Sequence, residues 1–133
     1  MNELHISTGV VSLNIFRDGE EVGIFKFNPK DLGEAEKYAD LMHDMQSKKT
    51  DYLKKAKELD ESGTDTERVK FLAEYIREMR KGIDGVYGEG TCQLLFGNAL
   101  DVDMFFDFME GISPYYKKAS SERTAKYRKH SSK

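Results

Sequence analysis

Few side chains in this 133-residue sequence are spaced to do chemistry. The three histidines, at 5, 43 and 130, are dispersed, and none stands at ligand spacing from the single cysteine, Cys92. A zinc site needs paired ligands at short intervals, so no zinc motif exists here. His43 beside Asp44 reads as a surface histidine on the polar side of a helix. Asp101, Asp103 and Asp107 put three carboxylates within seven residues. Helical spacing makes Asp101 a cap and sets Asp103 and Asp107 on one face, and the glycine and closing glutamate of a calcium loop are missing. Gly85, Gly88 and Gly90 look like a phosphate loop only until Glu89 and the absence of a following Lys-Ser or Lys-Thr are noted. Cys92 has no histidine or second thiol beside it to activate it and reads as a structural cysteine. The expectation is a non-enzymatic chain with no catalytic, cofactor-binding or metal-binding residues.

The elements that would position any site follow from patterning. Val11, Leu13 and Ile15 alternate on one face of a strand, and Val22–Phe27 reads as its partner across Asp18-Gly19, a strong tight-hairpin signal. Leu4 and Ile6 are placed to add a short third strand. Asn28 and Pro29 suit the N-cap and first position of a long helix. Along it, Ala35, Tyr38, Met42, Met45, Tyr52, Ala56 and Leu59 form a heptad-like stripe broken at Lys49. Thr64 and Glu67 have capping-box spacing for a second helix through Val69, Leu72, Ala73, Ile76, Met79 and Ile83, widened by Phe71 and Tyr75. Three glycines then free the backbone for a corner that ends this helix. Thr91 is the expected cap of a short helix holding Leu94, Leu95 and Phe96, which Gly97 stops. Asp101 opens the last helix with Leu100 as its staple, and Pro114 is expected to end it.

The predicted fold is α+β: an N-terminal β-hairpin packed on a bundle of three main helices and one short one. Residues 1–116 make a single domain, and 117–133 a basic tail that is flexible or a solvated helix. Charge is asymmetric. From Pro114 onward seven Lys or Arg stand against Glu122 alone, a balance of +6, which leaves −9 on residues 1–113 of a chain whose net charge is −3. Hydrophobic residues are 38% and charged residues 34%, and no run is long enough to span a bilayer. With no basic and apolar signal region at the N-terminus, the expected location is the cytoplasm, away from membranes. The tail interleaves Tyr115, Tyr116 and Tyr127 with cations, but the acidic body opposes nucleic-acid binding.

The segment Asp84-Gly85-Val86-Tyr87-Gly88-Glu89-Gly90-Thr91, followed by Leu95-Phe96-Gly97 and the run Met104-Phe105-Phe106-Asp107-Phe108-Met109, resembles small tail assembly chaperone-like proteins of phages and prophages of Gram-positive bacteria. The resemblance implies a protein of the host bacterial cytoplasm that holds the aggregation-prone tape measure protein and delivers it for tail tube polymerisation. Its partners would be the tape measure protein, the tail tube protein and further copies of itself. Phe105, Phe108 and Met109 are then the expected client contact, and Met42, Met45 and Tyr52 the surface for self-association or client binding. Gly85, Gly88, Gly90, Thr91 and Gly97 would shape the corner. On residues alone the Met and Phe ring has two readings, a helix buried in the core or a partly exposed grip for an apolar partner. Two other functions fit the same sequence: a structural tail component kept in the virion, and an acidic inhibitor of a host nucleic-acid-binding protein. Against the inhibitor, Lys48, Lys49, Lys54, Lys55 and Lys57 interrupt the acidic surface.

Overall fold

The computed structural model describes residues 1–131. An antiparallel hairpin, β1 (Val11–Arg17) and β2 (Glu20–Phe27), is followed by α1 (Leu32–Ser62), α2 (Asp65–Tyr87), α3 (Thr91–Phe96) and α4 (Val102–Ser131). The expected α+β architecture is therefore present, with one difference at each end.

At the N-terminus no third strand forms, and Leu4 and Ile6 are exposed outside the hairpin. The turn itself is the two-residue type expected: Asp18 (φ 53°) and Gly19 (φ 83°) both take positive φ, which matches strand twist. Val11 pairs with Phe27, Leu13 with Phe25 and Ile15 with Gly23, and a bulge between Ile15 and Phe16 shifts the register near the turn. Phe25 and Phe27 are buried on the inner face. Gly23 lets α3 approach, since a Cβ there would stand 2.5 Å from Leu94 Cδ1.

Helix α1 begins three residues later than Asn28 would place it. Asn28 spends its side chain on the Thr8 carbonyl and the Lys30 N–H, so Asp31 becomes the cap, accepting from Gly33 N at 2.8 Å. The Thr64–Glu67 capping box of α2 is present in both directions. Between them, the Gly63 N–H donates to the Leu59 carbonyl at 2.8 Å, and Arg68 Nη1 donates to the carbonyls of Leu59 and Gly63, closing a helical hairpin.

At the C-terminus α4 does not stop at Pro114. The proline removes one N–H, which orphans the carbonyl of Glu110, yet Glu110, Gly111 and Pro114 all face water, where that carbonyl can be hydrated. Buried residues on both sides of it, Ile112, Tyr116 and Ala119, hold the helix line. Residues 117–131 thus continue α4 instead of forming a separate flexible tail, and positions 132–133 of the expected tail lie outside the described residues.

The core lies where the hairpin, α2, α3 and α4 meet. Phe25 contacts Tyr87 and Phe108 edge-on at 5.2 and 5.5 Å, and Phe96 stacks on Phe105 at 4.6 Å. Each such buried ring contributes on the order of 1.5–3 kcal/mol from area alone. The start of α1 joins this core through Tyr38, which stacks on Tyr116 with ring centroids 3.8 Å apart.

Candidate functional site

The glycine corner is a structural joint. Gly85 does not end α2: it lies inside the helix, which runs two residues further to Tyr87. Gly88 (φ 109°) terminates it, and Gly90 (φ 88°) and Gly97 (φ 61°) bound α3 in backbone conformations that a side chain would strain. Thr91 is the first residue of α3 and makes no cap, because Gly90 occupies the N-cap position. The capping oxygen comes from Asp84, whose carboxylate accepts the Cys92 N–H at 2.9 Å. Arg80, one turn earlier, donates to the carbonyls of Gly97 at 2.8 Å and Ala99 at 3.0 Å, tying the far end of α3 to the same helix.

Cys92 sits beneath this joint, 1% exposed, with Sγ donating to the Arg80 carbonyl at 3.3 Å. Burial first, and the Asp84 carboxylate second, push its pKa up to about 12, which suppresses the nucleophilic thiolate. Among the described residues no three His, Cys, Asp or Glu side chains are grouped to hold a metal ion. His5 pairs with Glu3 at 3.0 Å in the exposed N-terminal segment, and His43 is exposed on α1.

A second polar arrangement is internal. Tyr87 and Tyr116 hydroxyls are 2.7 Å apart, and the Tyr116 hydroxyl is 3.5 Å from the Glu34 carboxylate, which also accepts the Asn28 N–H at 3.0 Å. A carboxylate only accepts, so Tyr116 donates to Glu34 and Tyr87 donates to Tyr116. Burial raises the pKa of both phenols. This chain links the turn after β2 to α1, α2 and α4.

One open part of the surface is apolar. Met42, Met45 and Tyr52 of α1, with Tyr75 and Met79 of α2 and Val102 and Phe106 of α4, line a groove of about 490 Å³. Tyr52 forms its floor, packed on Tyr75 at 4.3 Å and Phe71 at 5.5 Å. Leu53 and Phe106, 55% and 54% exposed, stand at its rim. Lys49, the break in the α1 stripe, also lines the groove, where its alkyl stem extends the apolar wall while the ammonium reaches water. The heptad break therefore falls where the helical surface opens.

The structure separates the six expected partner-binding residues into two groups. Met42, Met45 and Tyr52 come together in the groove. Phe105, Phe108 and Met109 are core side chains, 0%, 9% and 8% exposed, and lie outside that groove. Phe106 is the member of the ring that faces out. No periodicity singles it out, because apolar residues surround the helix; only the positions of the hairpin and α3 decide which of them is covered.

No described helix is long and apolar enough to cross a membrane. A family model described as "Family of unknown function (DUF6673)" matches residues 19–133. No curated protein and no solved structure matches the chain.

Proposed function

The chain belongs to that family of unknown function, and for it we propose a non-enzymatic role as a phage tail assembly chaperone that binds an amphipathic helix of the tape measure protein in the host cytoplasm. The observation that carries this reading is the groove, whose Met-rich lining is flanked by two large apolar side chains more than half exposed in a chain that is otherwise a third charged. Unbranched methionines adapt to varied apolar surfaces, and a groove between helices accepts the apolar stripe of another helix. The charged outer faces of α1 and α4 would keep the complex in solution. The corner motif enters indirectly: Asp84, Gly88, Gly90 and Gly97 set α3, and α3 sets the start of α4, which supplies the third wall.

Co-expression with the tape measure protein of the same genome, followed by size-exclusion chromatography with light scattering, tests the reading. A soluble complex is expected from the wild type and none from Leu53→Asp/Phe106→Asp, whose side chains are exposed and whose circular dichroism stays native. An insoluble tape measure protein beside an unbound partner overturns the chaperone role, and recovery of the chain from purified virions would then favour the structural tail component.

A further inference from the structure

The hairpin is open along one side. Phe25 and Phe27 of β2 are buried, but Val11, Leu13 and Ile15, the inward residues of β1, are only half-buried. A groove of about 340 Å³ runs beside the last residues of β1, with Ile15 and Phe16 on one wall and Met104, Asp107 and Phe108 of α4 on another. Among the described residues that line it none belongs to β2, so it opens on the free edge of β1. That edge also lacks the devices that keep strand edges unpaired. Val11–Phe16 contains no charge and no proline, and the bulge near the turn places its extra residue, Val22, on β2.

A strand that fits this edge is carried by the same chain. Glu3 and His5 meet at 3.0 Å, as alternate residues on one side of an extended chain do, which leaves Leu4 and Ile6 together on the other side. Leu4 and Ile6 are 83% and 78% exposed, and among the described residues none of Met1–Ser7 belongs to the apolar core or packs against it. The segment is held away from its own β1. Folding back would need a reversal at Thr8 and Gly9, but the Asn28 side-chain amide donates to the Thr8 carbonyl. Gly9 (φ 82°) lies so close to Lys30 that a Cβ would stand 2.8 Å from its Cδ. Both contacts keep the chain beside the end of β2, across the hairpin from the free edge.

We propose that Asn2–Ser7 of one copy pairs antiparallel with the β1 edge of a second copy, and reciprocally, so that each hairpin becomes a three-stranded sheet. Opposed side chains share a face, so Leu4 opposite Ile15 and Ile6 opposite Leu13 turn both apolar residues inward. Leu4 then stands at the groove, and His5 lies outside beside Asn14. The exchange covers apolar surface that a single copy exposes twice, on the segment and on the edge. It uses the hairpin edge and not the groove between α1, α2 and α4, so it is independent of the chaperone reading.

In sedimentation equilibrium the wild type is expected at twice the 15.3 kDa chain mass. Leu4→Asp/Ile6→Asp should be monomeric with native circular dichroism, since both side chains are exposed in the single chain. The pairing also sets Ser7 opposite Ser12, both exposed, within disulfide reach. Under mild oxidation a mixture of Ser7→Cys and Ser12→Cys chains should form a covalent dimer faster than either variant alone, while Cys92 stays buried. A wild type that is monomeric at every concentration overturns the proposal and leaves the edge to a foreign extended segment. A dimer that survives Leu4→Asp/Ile6→Asp overturns it and moves the interface elsewhere. So does a mixture that fails to crosslink. A Ser7→Cys/Ser12→Cys double variant that closes within one monomeric chain also overturns it and gives the edge to the chain's own segment.

Discussion

The Asp84 carboxylate accepts the backbone N–H of Cys92 at 2.9 Å, so the cap of α3 is supplied from eight residues upstream, across the glycine corner. Replacing it by alanine leaves a helix N-terminus beside a buried thiol without its acceptor. Asp84→Ala should lose about 1 kcal/mol, with a fall in Tm of about 4 °C, while Asp84→Asn, which keeps an acceptor oxygen, should recover most of it in thermal melts.

Two glycines of the same motif should respond with opposite signs. Gly85 is in regular helix with nothing within 4 Å of a Cβ position, so Gly85→Ala should stabilise by about 0.5–1 kcal/mol. Gly97 has φ 61° and ψ −135°, and a Cβ would come within 2.8 Å of Arg17 Nη1. Gly97→Ala should destabilise by about 1–3 kcal/mol and loosen the 3.3 Å bond from Arg17 to the Gln93 carbonyl. Urea denaturation of the two variants reads both signs.

Adjacent phenylalanines on α4 should separate folding from binding. Phe105→Ala removes a fully buried ring and should cost about 3–5 kcal/mol. Phe106→Ala removes one that is 54% exposed and should change stability by less than about 1 kcal/mol while weakening the proposed capture of a helical client. Denaturation curves and co-purification yields, measured on both variants, check the division.

Alkali should unfold the chain by a defined route. The pKa values of Cys92, Tyr87 and Tyr116 are all raised by burial above their ordinary values of 9.0 for the thiol and 10.0 for the phenols. Below pH 9 these groups are neutral in both folded and unfolded chains, and their contribution is fully present. As pH rises past 9 and 10 the unfolded chain ionises first, so stability falls. The denaturant midpoint should drop between pH 8 and pH 10.5, and the pH-dependent drop should be smaller in Tyr87→Phe. Below pH 9 Cys92 should resist alkylation until denaturant is added.

Where a structural decision was local, the sequence displayed it. Asp18-Gly19 carries the whole geometry of its turn, and Thr64 and Glu67 cap each other within one helical turn. Where distant groups competed, local rules misplaced the outcome. Asn28 is a good cap by type, but Thr8 recruits its side chain, and Asp31 takes the role. Pro114 should break a helix, but the buried residues on both sides outweigh one missing bond. Thr91 should cap α3, but Gly90 turns the chain so that Asp84 faces the N-terminus instead. The groove was half legible: the α1 stripe marked Met42, Met45 and Tyr52, whereas Phe106 could be distinguished from Phe105 only after the hairpin was in place.

The far end of the helical hairpin is held by a single seam. From Gln46 to Ser62, α1 buries only Leu59 and half-buries Tyr52 and Ala56, and its ring contacts there are with Phe71 and Tyr75 of α2. The other end of the molecule is locked by the Tyr87–Tyr116–Glu34 chain, which ties α2 and α4 to the start of α1. Cooperativity is therefore uneven along the molecule: amides of this distal segment should exchange with solvent through a partial opening well below the global unfolding free energy, while those around Ile76 and Ile83 wait for complete unfolding. The groove lies at the boundary between these two regimes, so one of its walls belongs to the part of the protein that can yield to an incoming helix without loss of the core.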